Sequence, residues 1–116
     1  MATITQGDVW WSELPEPRGS EPGYRRPVVV VQGNGFNRSR IRTVVCVPLT
    51  TNLDLAELPG TVRLDAGSGG LSRESVANAS QIFTADRQML RRRAGRVSPE
   101  QLEGILQGID EVLGRT

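Results

Sequence analysis

Fourteen arginines, with no lysine and no histidine, set the chemistry open to this 116-residue chain. Arginine carries a permanent cation on a planar fork that matches phosphate oxygens two at a time. Six arginines (Arg18, Arg25, Arg26, Arg38, Arg40 and Arg42) face one acid, Glu21, in the first cluster. Five more (Arg87, Arg91, Arg92, Arg93 and Arg96) form a second cluster without an acid, and five acids with two arginines lie between, over 51–86. The formal net charge of +1 hides this segregation. Two basic clusters on one small chain suggest a polyanion surface, although charge alone fits a solvated face of exposed ion pairs equally well. What is missing narrows the field further. Without histidine there is no His-based nucleophile triad, no HExxH metal site and no histidine general acid–base catalysis. One cysteine, Cys46, excludes an internal disulfide and a multi-cysteine metal centre. It lies in the apolar run Thr43 to Val47, where it packs as a small hydrophobe. The chain therefore shows no obvious attacking group of its own.

The elements that must position these residues are short. Thirteen glycines and seven prolines call for many turns. Gly7 to Leu14 (GDVWWSEL) reads as a first strand, and Pro15 to Arg26 as a long loop. Pro27 to Gln32 (PVVVVQ) is β-branched without alternation, hence a strand buried on both faces. Gly33 to Ser39 reads as a turn. Ile41 to Leu49 is a second buried strand, with Pro48 marking an edge or bulge. The chain leaves the sheet over 50–59, and Thr61 to Leu64 alternates as a strand. Asp65 to Ser72 is a glycine-rich turn, Ser75 to Phe83 a strand, Asp86 to Leu90 one helical turn and Gly95 to Val97 a last short strand.

A C-terminal helix is well marked. Ser98 is its N-cap, Pro99 opens it, and Gln101 completes a capping box. Leu102, Ile105, Leu106, Ile109, Val112 and Leu113 recur at helical spacing, and Gly114 suits a left-handed cap. The expected architecture is mainly β: five to six short antiparallel strands in a small, partly open barrel or curled sheet, plus the terminal helix, as a single domain over residues 1–116. Gly67-Ser68-Gly69-Gly70 has no following lysine, so it is a hairpin turn and not a P-loop. Of Trp10 and Trp11, one can face a ligand and stack on a base, and the other is core.

Taken in order, these segments resemble the MazF/PemK-type toxins of bacterial type II toxin–antitoxin systems. The likeness begins with GDVWW at Gly7 to Trp11 and continues through GSE and RPVVVV between Gly19 and Val31. It runs on through VPLTTN at Val47 to Asn52, SVANASQI at Ser75 to Ile82, DRQML at Asp86 to Leu90 and GRVS at Gly95 to Ser98. No piece is specific alone, but the ordered set is. The resemblance implies an SH3-like barrel of the CcdB/PemK kind, a homodimer, and sequence-specific, metal-independent cleavage of single-stranded RNA such as mRNA. It implies no cofactor, and neutralisation by a cognate MazE-like antitoxin. Its catalytic pair carries over as Arg26 and Thr50. Ser20 and Glu21 of the GSE loop, with Gln81, carry over as substrate-binding or supporting positions. The chain departs from many relatives at Gly23-Tyr24 and in the GNGFN turn of residues 33–37, so the recognition sequence does not transfer.

The chemistry fits that assignment. Metal-free RNA cleavage uses the ribose 2′-OH against the adjacent phosphorus. It needs a proton acceptor, stabilisation of phosphorane charge and a donor to the leaving 5′-oxygen. Arg26 offers a cation and several N–H donors where charge develops, and Thr50 offers a hydroxyl. Arginine is protonated below a pKa of about 12, so Glu21 is an alternative base. On the residues alone, Arg26 also reads as a surface arginine at a strand start, and Thr50 as a turn-capping hydroxyl. Two other functions fit a chain of this kind: a toxin of the same fold that poisons a topoisomerase by binding, and a plain SH3-like RNA-binding module. No window of 18 apolar residues spans a membrane, and the N-terminus lacks the basic and apolar regions of a signal peptide, so a cytoplasmic location is expected.

Overall fold

The computed structural model describes residues 3–20 and 23–116. Seven strands and a terminal helix account for about half of them. The strands are β1 (Asp8–Leu14), β2 (Tyr24–Val30), β3 (Thr43–Thr50), β4 (Thr61–Leu64), β5 (Ser75–Asn78), β6 (Phe83–Asp86) and β7 (Leu90–Arg96). The helices are a single-turn α1 (Asn34–Asn37) and α2 (Pro99–Val112). All pairings are antiparallel, in the order β4-β5-β3-β2-β1-β7, with β6 also on β3. β4 and β7 end the series unpaired with each other, so the sheet stays open.

β2 and β3 form the middle of the sheet because both their faces are apolar. Val29, Val31, Val47 and Leu49 turn to a core shared with Ile105 of α2, whereas Val28, Val30, Val44 and Cys46 turn to a second core with Trp10 and Leu90. Successive strand residues point to opposite sides, so an unbroken valine run feeds both cores. Pro48 lies inside β3, paired with Val28. On its other side β3 pairs with β6 up to Cys46 and with β5 from Leu49. The proline thus falls in the gap between those partners, where no ladder bond is lost.

The expected strand over residues 75–83 is two strands with a 3₁₀ turn, Ala79–Gln81, between them. Asn78 makes the break, since its Oδ1 accepts from the Ser80 N–H at 3.1 Å and the Ser80 hydroxyl at 2.6 Å. Such side-chain bonds compete with ladder pairing. β2 begins at Tyr24, earlier than expected, because β1 pairs with it out to Leu14↔Tyr24. The last strand is also longer than expected. Gly33 to Ser39, read as a turn, contains α1, whose Asn37 is buried against Gln32. Residues 68–70 are a 3₁₀ turn tucked under β7, and a Cβ on Gly70 would lie 2.0 Å from the Ala94 carbonyl oxygen. They sit in the connection of the β4–β5 hairpin, as expected, and also serve as a packing element.

The helix follows its sequence signals. Ser98 and Gln101 form both bonds of the capping box. At the other end, Gly114 (φ +71) and Arg115 donate to the Glu111 and Asp110 carbonyls, as a Schellman cap requires. Ile105 is fully buried and Leu102, Leu106 and Ile109 are partly so. Val112 and Leu113 are exposed, so the buried stripe stops a turn short of the expected one. No helix among the described residues is long and apolar enough to cross a membrane.

Candidate active site

β2 carries Arg26 and β3 carries Thr50, both beyond the end of the ladder that joins the two strands. Their ladder runs Val30↔Cys46, Val29↔Val47, Val28↔Pro48. Beyond that ladder Arg26 pairs with Ser12 of β1 and Thr50 with Val76 of β5, so each lies two residues past the last β2–β3 pair, on neighbouring strands. The strand behind Arg26 is anchored. Ser12, fully buried on β1, donates its hydroxyl to the Arg26 carbonyl at 2.6 Å. Ser12 is a positioning residue with no sequence signal beyond its place in strand alternation.

The Arg26 side chain is half-buried, and its Nε is buried with no hydrogen-bond partner. No ion pair to Arg26 occurs among the described residues. A buried guanidinium N–H left unpaired is costly unless an acceptor is supplied from outside. Thr50, also half-buried, accepts from the Asn52 N–H at 3.1 Å. That is the turn-capping bond foreseen for it, and it leaves the hydroxyl proton free to donate.

The 3₁₀ turn after β5 brings Gln81 to the first loop, where its Nε2 donates to the Ser20 carbonyl at 2.6 Å across 61 residues of chain. Ser20 and Gln81 are therefore brought together, with Gln81 tying down the loop backbone and Ser20 exposed. Glu21 lies outside the described residues. The tryptophans divide as expected: Trp10 is core, and Trp11 is half-buried with the Arg25 guanidinium over its ring at 4.6 Å. Trp11, Pro27, Thr51, Leu71 and Arg73 line a small apolar cavity of about 90 Å³ on that side. The adjacent Arg25 and Arg26 thus serve opposite faces of β2. Their pairing in sequence was the one available signal for the Arg25–Trp11 contact.

Not every arginine is free to meet a polyanion. Asp8, 1% exposed, accepts from Arg93 Nε at 3.2 Å, Arg96 Nε at 3.3 Å, Trp10 Nε1 at 3.3 Å and the Thr5 N–H at 2.9 Å. Arg87 donates to the Ile41 and Asn37 carbonyls at 2.8 and 2.5 Å, which brings the second basic cluster onto the first. There Arg40, Arg42 and Arg87 border a hollow of about 430 Å³. Cys46 is fully buried, and burial pushes its thiol up to about 12. Among the described residues no three His, Cys, Asp or Glu side chains group as metal ligands.

An open antiparallel sheet with a terminal helix, presenting an arginine and a threonine on neighbouring strands, defines a class that sequence comparison makes specific. Residues 5–113 match the family model described as PemK-like, MazF-like toxin of type II toxin–antitoxin system, and the chain belongs to that family. Endoribonuclease MazF6 of Mycobacterium tuberculosis is 37% identical over 110 residues, covering 95% of this chain and 96% of the relative. A mycobacterial endoribonuclease solved with its cognate antitoxin superposes with a TM-score of 0.74 at 27% identity, over 100% of this chain and 98% of that one. MazF of Deinococcus radiodurans shares the fold, with a TM-score of 0.82 at 21% identity over 98% and 99% of the two chains.

Proposed function

We infer that this chain is an endoribonuclease toxin that cuts single-stranded RNA, mRNA included, at the Arg26–Thr50 pair. The observation that carries the reading is the buried, unpartnered Nε of Arg26, on the strand next to the one that bears Thr50, whose hydroxyl has a proton to give. An RNA phosphate supplies the acceptor that Arg26 lacks. Its N–H donors face the phosphoryl oxygens, where charge grows in the transition state. Thr50 donates to the phosphoryl group or the departing oxygen.

The ribose 2′-OH attacks the adjacent phosphorus. The 2′-O–P bond forms as the P–5′-O bond breaks, leaving a 2′,3′-cyclic phosphate and a 5′-OH. One proton leaves the 2′-oxygen and one reaches the 5′-oxygen. Held in line, this intramolecular step can save roughly 7–11 kcal/mol of barrier. Arginine in its protonated form only donates, so Glu21, in the same loop as Ser20, is the candidate acceptor for the 2′-proton. The Gln81–Ser20 bond supports that loop beside the substrate. The active form is a cytoplasmic homodimer of this one domain, restrained by a MazE-like antitoxin; the mycobacterial endoribonuclease solved with its cognate antitoxin supports the antitoxin alone.

The test is an oligonucleotide with one 2′-deoxy sugar just 5′ of the cut, all other sugars being ribose, assayed beside the all-ribose strand in chelator. The ribose strand is expected to be cut to cyclic-phosphate and 5′-OH ends, and the substituted strand to bind and stay intact. Cutting of both at one rate overturns the 2′-OH mechanism. No cut in either supports the binding-only readings.

A further inference from the structure

The first loop enters β2 through a conformation that folding alone does not favour. Tyr24 has a φ of +57°, the only non-glycine among the described residues in the left-handed region, which seven glycines also occupy. There the Cβ of an L-residue crowds the backbone, and glycine would be relaxed where an aromatic is strained. The ring gains little burial in exchange, since Tyr24 is 63% exposed. Its surroundings hold it in place. Its N–H donates to the Pro15 carbonyl at 3.4 Å and Leu14 stands across from it on β1. A Cβ on the preceding Gly23 would lie 2.3 Å from the Pro17 ring. Strain that surrounding structure maintains at an exposed side chain points to use and not to stability.

Its position says what the use is. Tyr24 precedes Arg26 by two residues of strand, roughly 6.6 Å, which is about the stride of one nucleotide. Beside it, Leu14 lines an open hollow of about 560 Å³ together with Pro15, Met89 and Arg91. An exposed aromatic beside arginines is the combination that holds splayed single-stranded bases. We propose that Tyr24 stacks one unpaired RNA base next to the phosphate held at Arg26, and so helps set which sequence is cut. The proposal rests on the RNA-cleaving reading above and adds a specificity-determining residue to it.

The experiment maps every cut in a long single-stranded RNA for wild type, Tyr24→Phe, Tyr24→Ala and Tyr24→Gly. The glycine variant relieves the backbone strain, so its behaviour cannot be ascribed to misfolding. Phenylalanine should keep the wild-type consensus. Alanine and glycine should lose base preference at one position beside the cut, with kcat/KM down about tenfold or more. A second arm uses 2-aminopurine, placed in turn at each position flanking the cut of a strand blocked by a 2′-deoxy sugar. At one position its fluorescence should be quenched on binding wild type and Tyr24→Phe, and not Tyr24→Ala. An unchanged consensus and rate in Tyr24→Ala, or no position whose quenching depends on Tyr24, overturns the proposal while RNA cleavage stands. Wild type that neither cuts nor binds the RNA overturns the cleavage reading, and this proposal with it.

Discussion

Replacing Arg26 by lysine keeps the charge and removes the fork. The unpartnered Nε is the atom lysine cannot reproduce, so Arg26→Lys should lower kcat by roughly a hundredfold. A lysine variant cutting at near wild-type rate in single-turnover assays would show that only a point charge is needed. Cys46 gives a prediction of a different kind. Burial raises its pKa from 9.0 to about 12, so the folded state holds the thiol proton that the unfolded chain releases. Its contribution to stability is complete below about pH 9 and is lost as pH rises toward 12. Cys46→Val should flatten that part of the alkaline stability profile, read by denaturant melts across the range. An equal slope in both proteins would contradict the burial argument. The roles proposed for Arg26 and Thr50 came from ordered motifs. Ser12 and the Gln81–Ser20 bond did not, because a hydroxyl's partner across a sheet and a contact spanning 61 residues depend on register and chain path.

Helix α2 has two glycines that look alike in sequence, and each costs roughly 1 kcal/mol of helix propensity. Packing separates them. A Cβ on Gly104 meets Val62 at 3.6 Å, an ordinary contact, whereas one on Gly108 meets the Gly60 carbonyl oxygen at 3.0 Å. Gly104→Ala should therefore stabilise the protein by about 0.5–1 kcal/mol, and Gly108→Ala should gain nothing or destabilise. Thermal melts of the two variants decide, and matching gains would show that the helix does not press on Gly60. The helix was legible because its caps and stripe are local. The break at Asn78 was not, because an asparagine in an apolar run can stay in a strand or cap a turn. Here β3 passes from one partner to the other at Pro48, leaving room for the turn.

Over the whole chain, Arg87 joins the two basic clusters while Asp8 occupies Arg93 and Arg96, so the remaining positive surface is smaller but continuous around Arg40, Arg42 and Arg87. An antitoxin segment carrying acids and apolar anchors should bind there with affinity falling about tenfold or more from low to high salt. Titrations giving one affinity at both ionic strengths would remove charge from that interface.

Composition, ordered motifs and helix caps were enough to establish a mainly β chain and its family, and to nominate Arg26 and Thr50. They act within a few residues or through residue type alone, so no knowledge of the fold was needed to read them. The open sheet, the opposite duties of Arg25 and Arg26, the bare Nε and the left-handed Tyr24 needed the folded chain. Each depends on which distant segments lie alongside one another. Hydrogen-bond register and side-chain exclusion settle that only when both cores close at once.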